Sequence, residues 1–157
     1  MQMQPQDSRS YFMLPQAPED AGYYVYGKLD GIPSKGASQY AHPSLMTAIL
    51  RVEREWRQYD NRKFGIGDIS LAGGGNHPDH ESHEKGVDVD VRPLRKDGKH
   101  TPVTWKDKEY DFAATEKLIG LFHAYANVKV LLFNDRRIPF VVWAKQHDNH
   151  FHVTLWT

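Results

Sequence analysis

The stretch His80-Glu81-Ser82-His83-Glu84-Lys85-Gly86-Val87-Asp88-Val89-Asp90 is answered near the C-terminus by His147-Asp148-Asn149-His150-Phe151-His152, and the two segments hold five of the chain's nine histidines. So many imidazoles beside so many carboxylates read as a metal site split between two parts of the chain. A catalytic zinc typically takes three nitrogen or oxygen ligands from the protein and leaves its fourth position to water; His83, Asp90 and His152 suit those three roles. Two histidines and a carboxylate also make the facial triad of non-haem iron oxygenases. That alternative is the weaker one, because its first two ligands stand as His-x-Asp or His-x-Glu, whereas His83 and Asp90 are seven residues apart. There is no cysteine and no Gly-x-Ser-x-Gly, so neither a thiol nor the best-known serine elbow supplies a nucleophile. There is no His-Glu-x-x-His run either, and Glu84 reads as a solvated loop charge rather than a base.

Alternation shows which elements must position these groups. Over residues 86–92, Val87, Val89 and Val91 share one face of an extended chain, so Asp88, Asp90 and Arg92 share the other. Over residues 151–156, Phe151, Val153 and Leu155 turn to the core and leave His150, His152 and Thr154 together, successive members roughly 7 Å apart. His83 is too far from Asp90 along one strand to meet it at one ion, so the chain must fold back between them, with Gly86 as the bend. Further strands are predicted at 23–26, 66–71, 128–133 and 140–143. A helix opens at His42-Pro43-Ser44, with Leu45, Ile49, Val52 and Trp56 at helical spacing. A second runs from Asp111, its cap, to about Ala126, burying Phe112, Leu118, Phe122 and Tyr125, with His123 structural or exposed. Asn134-Asp135-Arg136-Arg137 reads as a turn. The expected architecture is α+β: a central, mainly antiparallel β-sheet with flanking helices.

These residues resemble the penicillin-insensitive murein endopeptidase family, within the lysostaphin and D-Ala-D-Ala peptidase superfamily of zinc peptidases. The likeness rests on five blocks in order: Gly67-Asp68-Ile69-Ser70-Leu71, His80-x-Ser82-His83, Gly86-x-Asp88-Val89-Asp90, Asp97-Gly98-Lys99-His100 and His147-x-x-His150-x-His152. It spans roughly residues 23–156. It implies a hedgehog-like peptidase fold, Zn2+ as cofactor, and hydrolysis of the peptide cross-bridges of bacterial peptidoglycan at the bond between D-alanine and meso-diaminopimelate. Carried over by position, it implies His83, Asp90 and His152 as zinc ligands, His80 as a further histidine at the metal centre, His150 as general base and transition-state stabiliser, and His147 as its assistant. Asp97 and His100 match a pair that holds an additional metal in relatives, although Asp-Gly is equally the mark of a turn. Arg92 and Ser82 are candidate substrate contacts, and Arg92 either clamps a substrate carboxylate or pairs with Asp88. Two other functions would use the same residues: a D-Ala-D-Ala carboxypeptidase or dipeptidase, and a non-catalytic zinc-binding module on the same fold. His147 and His150 beside the site favour catalysis, since a structural site closes its coordination shell.

Length and charge agree with a small catalytic domain. A chain of 157 residues makes one compact unit. We expect an irregular lead-in over residues 1–22, with Tyr11 to Leu14 packing down on a single peptidase domain over 23–157. Lys plus Arg equals Asp plus Glu at 20 each, which gives no electrostatic case for nucleic acid. No apolar run approaches a membrane span. Met1 to Asp20 lacks the basic and apolar regions of a secretory signal. The resemblance nevertheless implies a periplasmic or extracellular protein, with its leader trimmed or its export by another route. The absence of cysteine departs from relatives that carry disulfides. A secretion or immunity partner is not legible.

Several residues have a plainer reading. Gly73-Gly74-Gly75-Asn76 lacks the Gly-Lys-Ser/Thr ending of a phosphate loop and reads as a flexible wall leading into the site, as do His77 and His42. Trp105, Tyr110, Trp143 and Trp156 are expected in the core, where aromatics bury most area.

Overall fold

The computed structural model describes residues 6–16 and 18–157. Residues 1–5 and 17 of the expected lead-in lie outside the described residues. In chain order the elements are β1 (Phe12–Met13), β2 (Tyr23–Val25), β3 (Lys28–Leu29), β4 (Ile32–Pro33), β5 (Tyr40–Ala41), α1 (Pro43–Tyr59), β6 (Phe64–Ile66), β7 (Asp88–Arg92), α2 (Phe112–Tyr125), β8 (Val128–Leu132) and β9 (Phe151–Leu155). The main sheet has the order β2-β6-β7-β9-β8. Only β2 and β6 run parallel, and the other neighbours are antiparallel. The fold is α+β with a mainly antiparallel sheet, as the sequence predicts.

Both helices begin where the sequence predicts, α2 on its expected cap Asp111 and α1 on His42, whose capping role was not foreseen. His42 Nδ1 accepts the Ser44 N–H at 3.0 Å ahead of Pro43, and Asp111 Oδ1 accepts the Ala114 N–H at 3.0 Å. The apolar stripe of α1, with Leu45, Ile49, Val52 and Trp56 fully buried, packs beside α2 over one face of the sheet. An aromatic chain ties the layers together. Trp56 meets Phe64 at 6.3 Å between ring centroids, Phe64 meets Phe122 at 6.5 Å, and Phe151 meets Phe122 at 5.8 Å and Phe133 at 6.0 Å. Leu14, just after β1, is fully buried in the same core, and β1 pairs with β5. No helix among the described residues is long and apolar enough to cross a membrane.

The structure departs from the sequence reading at four places. The predicted strand at 66–71 is strand only at Phe64–Ile66. Gly67 and Asp68 still bond to Asp90 of β7, and from Ile69 the chain bonds elsewhere: Ile69 N donates to Ser38 O at 2.7 Å, and Tyr40 N donates to Ser70 O at 3.0 Å. The predicted strand at 140–143 is reduced to one bridge between Val142 and Leu132, with Phe140 at 83% and Trp143 at 52% exposure, because no layer faces it. Tyr125 is exposed on α2 and carries the Arg51 guanidinium over its ring at 4.4 Å. Of the four aromatics expected inside, Tyr110 is buried and Trp105 half-buried, whereas Trp143 and Trp156 are exposed.

The turn after β8 is locked by Asp135, which is fully buried. It accepts the Tyr110 hydroxyl at 2.8 Å and Arg137 at 2.7 and 2.8 Å. Burial opposes its ionisation, but these donors outweigh that and hold its carboxyl below the ordinary 3.8. A carboxyl depressed on folding contributes stability that is complete above its unfolded value and lost as pH falls through the folded one. Stability should therefore decline below about pH 4, where the unfolded carboxyl begins to take up protons, and Asp135→Ala should flatten that decline. At neutral pH Asp135→Ala should cost about 1–3 kcal/mol by stranding the Tyr110 hydroxyl, and Phe151→Ala about 3–5 kcal/mol. Urea titration at several pH values measures both.

Candidate metal centre

The register of β7 against β9 builds the site. Asp90 lies opposite His152 and Asp88 opposite Thr154, while Val89 faces Val153 and Val91 faces Phe151. The alternate residues of two strands thus line one face with acids, imidazole and hydroxyl while the valines and Phe151 enter the core. His152 Nδ1 lies 3.1 Å from Asp90 Oδ1, and its Nε2 lies 3.0 Å from Asp88 Oδ1, which also accepts the Thr154 hydroxyl at 2.6 Å. Burial disfavours the His152 imidazolium, but hydrogen bonds to Asp88 and Asp90 prevail and raise it to about 9. Asp88 orients His152 from behind, in the way a carboxylate commonly supports a metal-binding imidazole. The alternative expected of Asp88, a pair with Arg92, does not form among the described residues.

His83 arrives from the folded-back segment. Its own φ of 65° and the 74° of Gly86 turn the chain, as expected of that bend. The ring is buried, and Nδ1 donates to the Ile69 carbonyl at 3.0 Å, since a carbonyl can only accept. Nδ1 is thereby engaged, and Nε2 is the atom that faces the centre, 3.4 Å from Asp90 Oδ1. Asp90 is held well below the ordinary carboxylate range: burial opposes its charge, and contacts with His152 and His83 outweigh that. His80 Nε2 stands 2.7 Å from Asp68 Oδ2 and 3.7 Å from Asp90 Oδ2. His80, His83 and Asp90 each offer an atom within 4.8 Å of the others, and so do Asp68, His77 and His80. These buried groups are able to hold a metal ion, and imidazole with carboxylate suits zinc.

His77 is closer to the centre than the wall position expected of it. Its Nδ1 accepts the Asp79 N–H at 3.1 Å, so the buried Nε2 carries the proton and points at Asp68 Oδ2, 3.6 Å away. At that distance it makes no hydrogen bond, and it belongs with Asp68 and His80 to the second ligand group. Asp68 Oδ1 accepts the Lys28 N–H at 2.8 Å and the Ser38 hydroxyl at 2.7 Å. No periodic pattern marks Asp68 or His77, whereas Asp88 was visible in the strand alternation.

His150 follows the loop after β8. Its Nδ1 lies 2.8 Å from Asn149 Oδ1, and its Nε2 lies 3.8 Å from Asp90 Oδ1. Burial, beside the nearby imidazoles, pushes its pKa down to about 4. The ring is therefore neutral at pH 7 and able to accept a proton. His147 Nδ1 donates to the Lys145 carbonyl at 2.8 Å, and its ring lies 4.7 Å from that of His150. Two cavities meet at His80, Asp90 and His150. One of about 350 Å³ extends to Tyr26, Lys28 and Arg92; the other, of about 1010 Å³, is open along Ser82, His83, His147 and His152.

The other expected residues lie away from this face. Asp97 is gripped by Arg95 at 2.6 and 2.8 Å, and the His100 ring is stacked on Tyr24 at 4.0 Å. Neither belongs to the ligand groups found among the described residues. Gly73 to Gly75 line a separate depression with Arg9 and Tyr11, not the wall of the site, because Gly73 N donates to Asp7 and its neighbours turn back toward the N-terminal segment. His42 is occupied as the α1 cap.

The family described as penicillin-insensitive murein endopeptidase matches the chain over residues 28–131. The chain belongs to this family. No match is found among curated protein sequences. The part of this murein endopeptidase family member that matches contains His80, His83 and Asp90 and ends inside β8. His147, His150 and His152 lie beyond it and reach the same centre through β9.

The bend is open to a direct test. A Cβ on Gly86 would lie 2.8 Å from the His42 nitrogen, in a backbone conformation that L-residues occupy at a cost of roughly 1–2 kcal/mol. Gly86→Ala should lower stability by at least that amount in urea unfolding. An unchanged midpoint would show that His83 does not depend on this turn.

Proposed function

We propose that the chain is a zinc-dependent murein endopeptidase that hydrolyses the peptide cross-bridges of peptidoglycan at the D-alanine to meso-diaminopimelate bond. The observation that carries this reading is the placing of His83, whose Nδ1 is engaged by the Ile69 carbonyl so that its Nε2 faces the ionised Asp90 carboxylate with His152 on the other side of Asp90. His83, Asp90 and His152 would hold the ion, with His80 beside them. When bound, zinc supplies a Lewis acid for the scissile carbonyl and a water nucleophile at neutral pH. His150 takes the proton of the attacking water at Nε2 and returns it to the leaving amine, for which a neutral imidazole is suited. His147, Nε2 free, assists beside it. Asp88 and Thr154 keep the His152 ring from turning, and Asp68 does the same for His80. Ser82 stands at the open mouth of the larger cavity, where a polymer strand would enter. A murein substrate implies a periplasmic or extracellular place of work.

Purified protein should release soluble muropeptides from sacculi, stop on addition of chelator and resume with zinc. Mass spectrometry should find products gaining one water at the D-alanine to meso-diaminopimelate bond; cleavage elsewhere would reassign the bond. Asp90→Ala should lose the metal, whereas His150→Ala should retain it and lose activity by about 10²–10⁴-fold, the usual contribution of a general base. Metal-loaded protein that leaves sacculi intact would favour a binding module, and loss of metal from both variants would refute the division of roles.

A further inference from the structure

We infer that the smaller cavity is a carboxylate subsite, built by Tyr26, Lys28 and Arg92, which takes a free carboxylate on the carbon bonded to the scissile nitrogen. This rests on the peptidase reading and names what the substrate must carry.

Three observations converge. The Tyr26 hydroxyl is shut off from solvent yet has no hydrogen-bond partner, although it borders the cavity. Buried hydroxyls are ordinarily paired, so an unpaired one beside a reaction centre marks a place where a ligand atom belongs. Its position is enforced, because a Cβ on Gly67 would lie 2.6 Å from the Tyr26 ring. Second, the Arg92 guanidinium is pinned 3.9 Å over that ring, with its Nη1 donating to the His100 carbonyl at 3.4 Å. Among the described residues it has no carboxylate partner, and the same is true of Lys28 across the cavity. A half-buried guanidinium with no counter-ion offers the forked donor geometry that matches a carboxylate.

The third is spacing. Arg92 and Asp90 are alternate residues of β7 on one face, roughly 7 Å apart. In a peptide the carbonyl carbon and the carboxylate carbon on the next residue are separated by about 3–4 Å. One charge-assisted hydrogen bond of about 2.8 Å then reaches from that carboxylate to the guanidinium while the carbonyl stays at the metal centre. The acids that share the cavity do not cancel these cations. Asp68 is filled by Lys28 N–H, Ser38 and His80, Asp90 by His83 and His152, and Asp79 stands exposed on the rim. Two substrate carboxylates have this chemistry: that of the D-centre of meso-diaminopimelate in a cross-link, and the terminal one of a D-alanyl-D-alanine pentapeptide.

The test compares cross-linked muropeptide dimers whose diaminopimelate carboxylate is free or amidated, with a pentapeptide monomer as a third substrate. The wild-type protein should prefer the free dimer by about tenfold or more in kcat/KM, mainly through KM, the scale of a hydrogen bond to a charged group. Tyr26→Phe, Arg92→Gln and the exposed Lys28→Gln should each shrink that ratio, and Arg92→Lys should restore part of it. Faster release of D-alanine from the pentapeptide than cleavage of the free dimer would assign the carboxylate to the chain terminus. Equal cleavage of free and amidated dimers would sink the subsite while leaving the peptidase reading intact; no cleavage of any substrate would sink both.

Discussion

The pairing of Asp90 with His152 across β7 and β9 is the constraint on which the rest of the structure depends. Side chains alternate across a strand, so a slip of one residue would send both aspartates and His152 into the core and bring Val89 and Val153 out into the cleft. The aromatic contacts of Phe151 with Phe122 and Phe133 prevent that slip from the other side of the sheet. Stability and the polar face thus share a single register, with the core holding the strands and the strands presenting the acids and the imidazole.

A cost accompanies this arrangement. Asp88, Asp90, His83 and His152 are all buried, and charges removed from water are tolerated only when paired and hydrogen-bonded. Each has its partner: Thr154 and His152 for Asp88, the Ile69 carbonyl for His83, two imidazoles for Asp90. The exceptions are informative. Three side-chain atoms are buried without a hydrogen bond among the described residues: His77 Nε2 and the Tyr26 hydroxyl border the centre, and His123 Nε2 lies on α2. The two at the centre stand where a bound group could satisfy them.

Two-thirds of the site comes from the loops at either end of the sheet. The segment from Gly67 to Gly86 supplies Asp68, His77, His80 and His83, and it is held by backbone bonds to Asp90 of β7 at its start and to residues 38–42 beyond. The loop from Phe133 to His150 supplies His147 and His150 and is held by Asp135, Asn134 and Asp148. Binding groups on loops positioned by a rigid scaffold are a common economy. Here the fixed points are Gly86 at one end and the buried Asp135 at the other.

Local pattern alone was enough to recover both helices, the Asp111 cap, the faces of β7 and β9, and the bend at Gly86, because each depends on neighbours within a few residues. Residue type singled out His83, Asp90 and His152; in the structure His83 and Asp90 share a ligand group with His80, and His152 meets Asp90 from β9. What only the folded chain decided is what lies opposite what. The placing of His83 depends on a carbonyl fourteen residues away, the placement of Tyr26 depends on Gly67, and the exposure of Trp143 depends on a missing layer. The strand predicted at 66–71 stops short for the same reason, since the backbone of Ile69 and Ser70 bonds to residues 38–40, a choice no local pattern encodes. Local geometry is written in neighbouring residues, whereas contacts between distant segments are settled by which surfaces can be buried together.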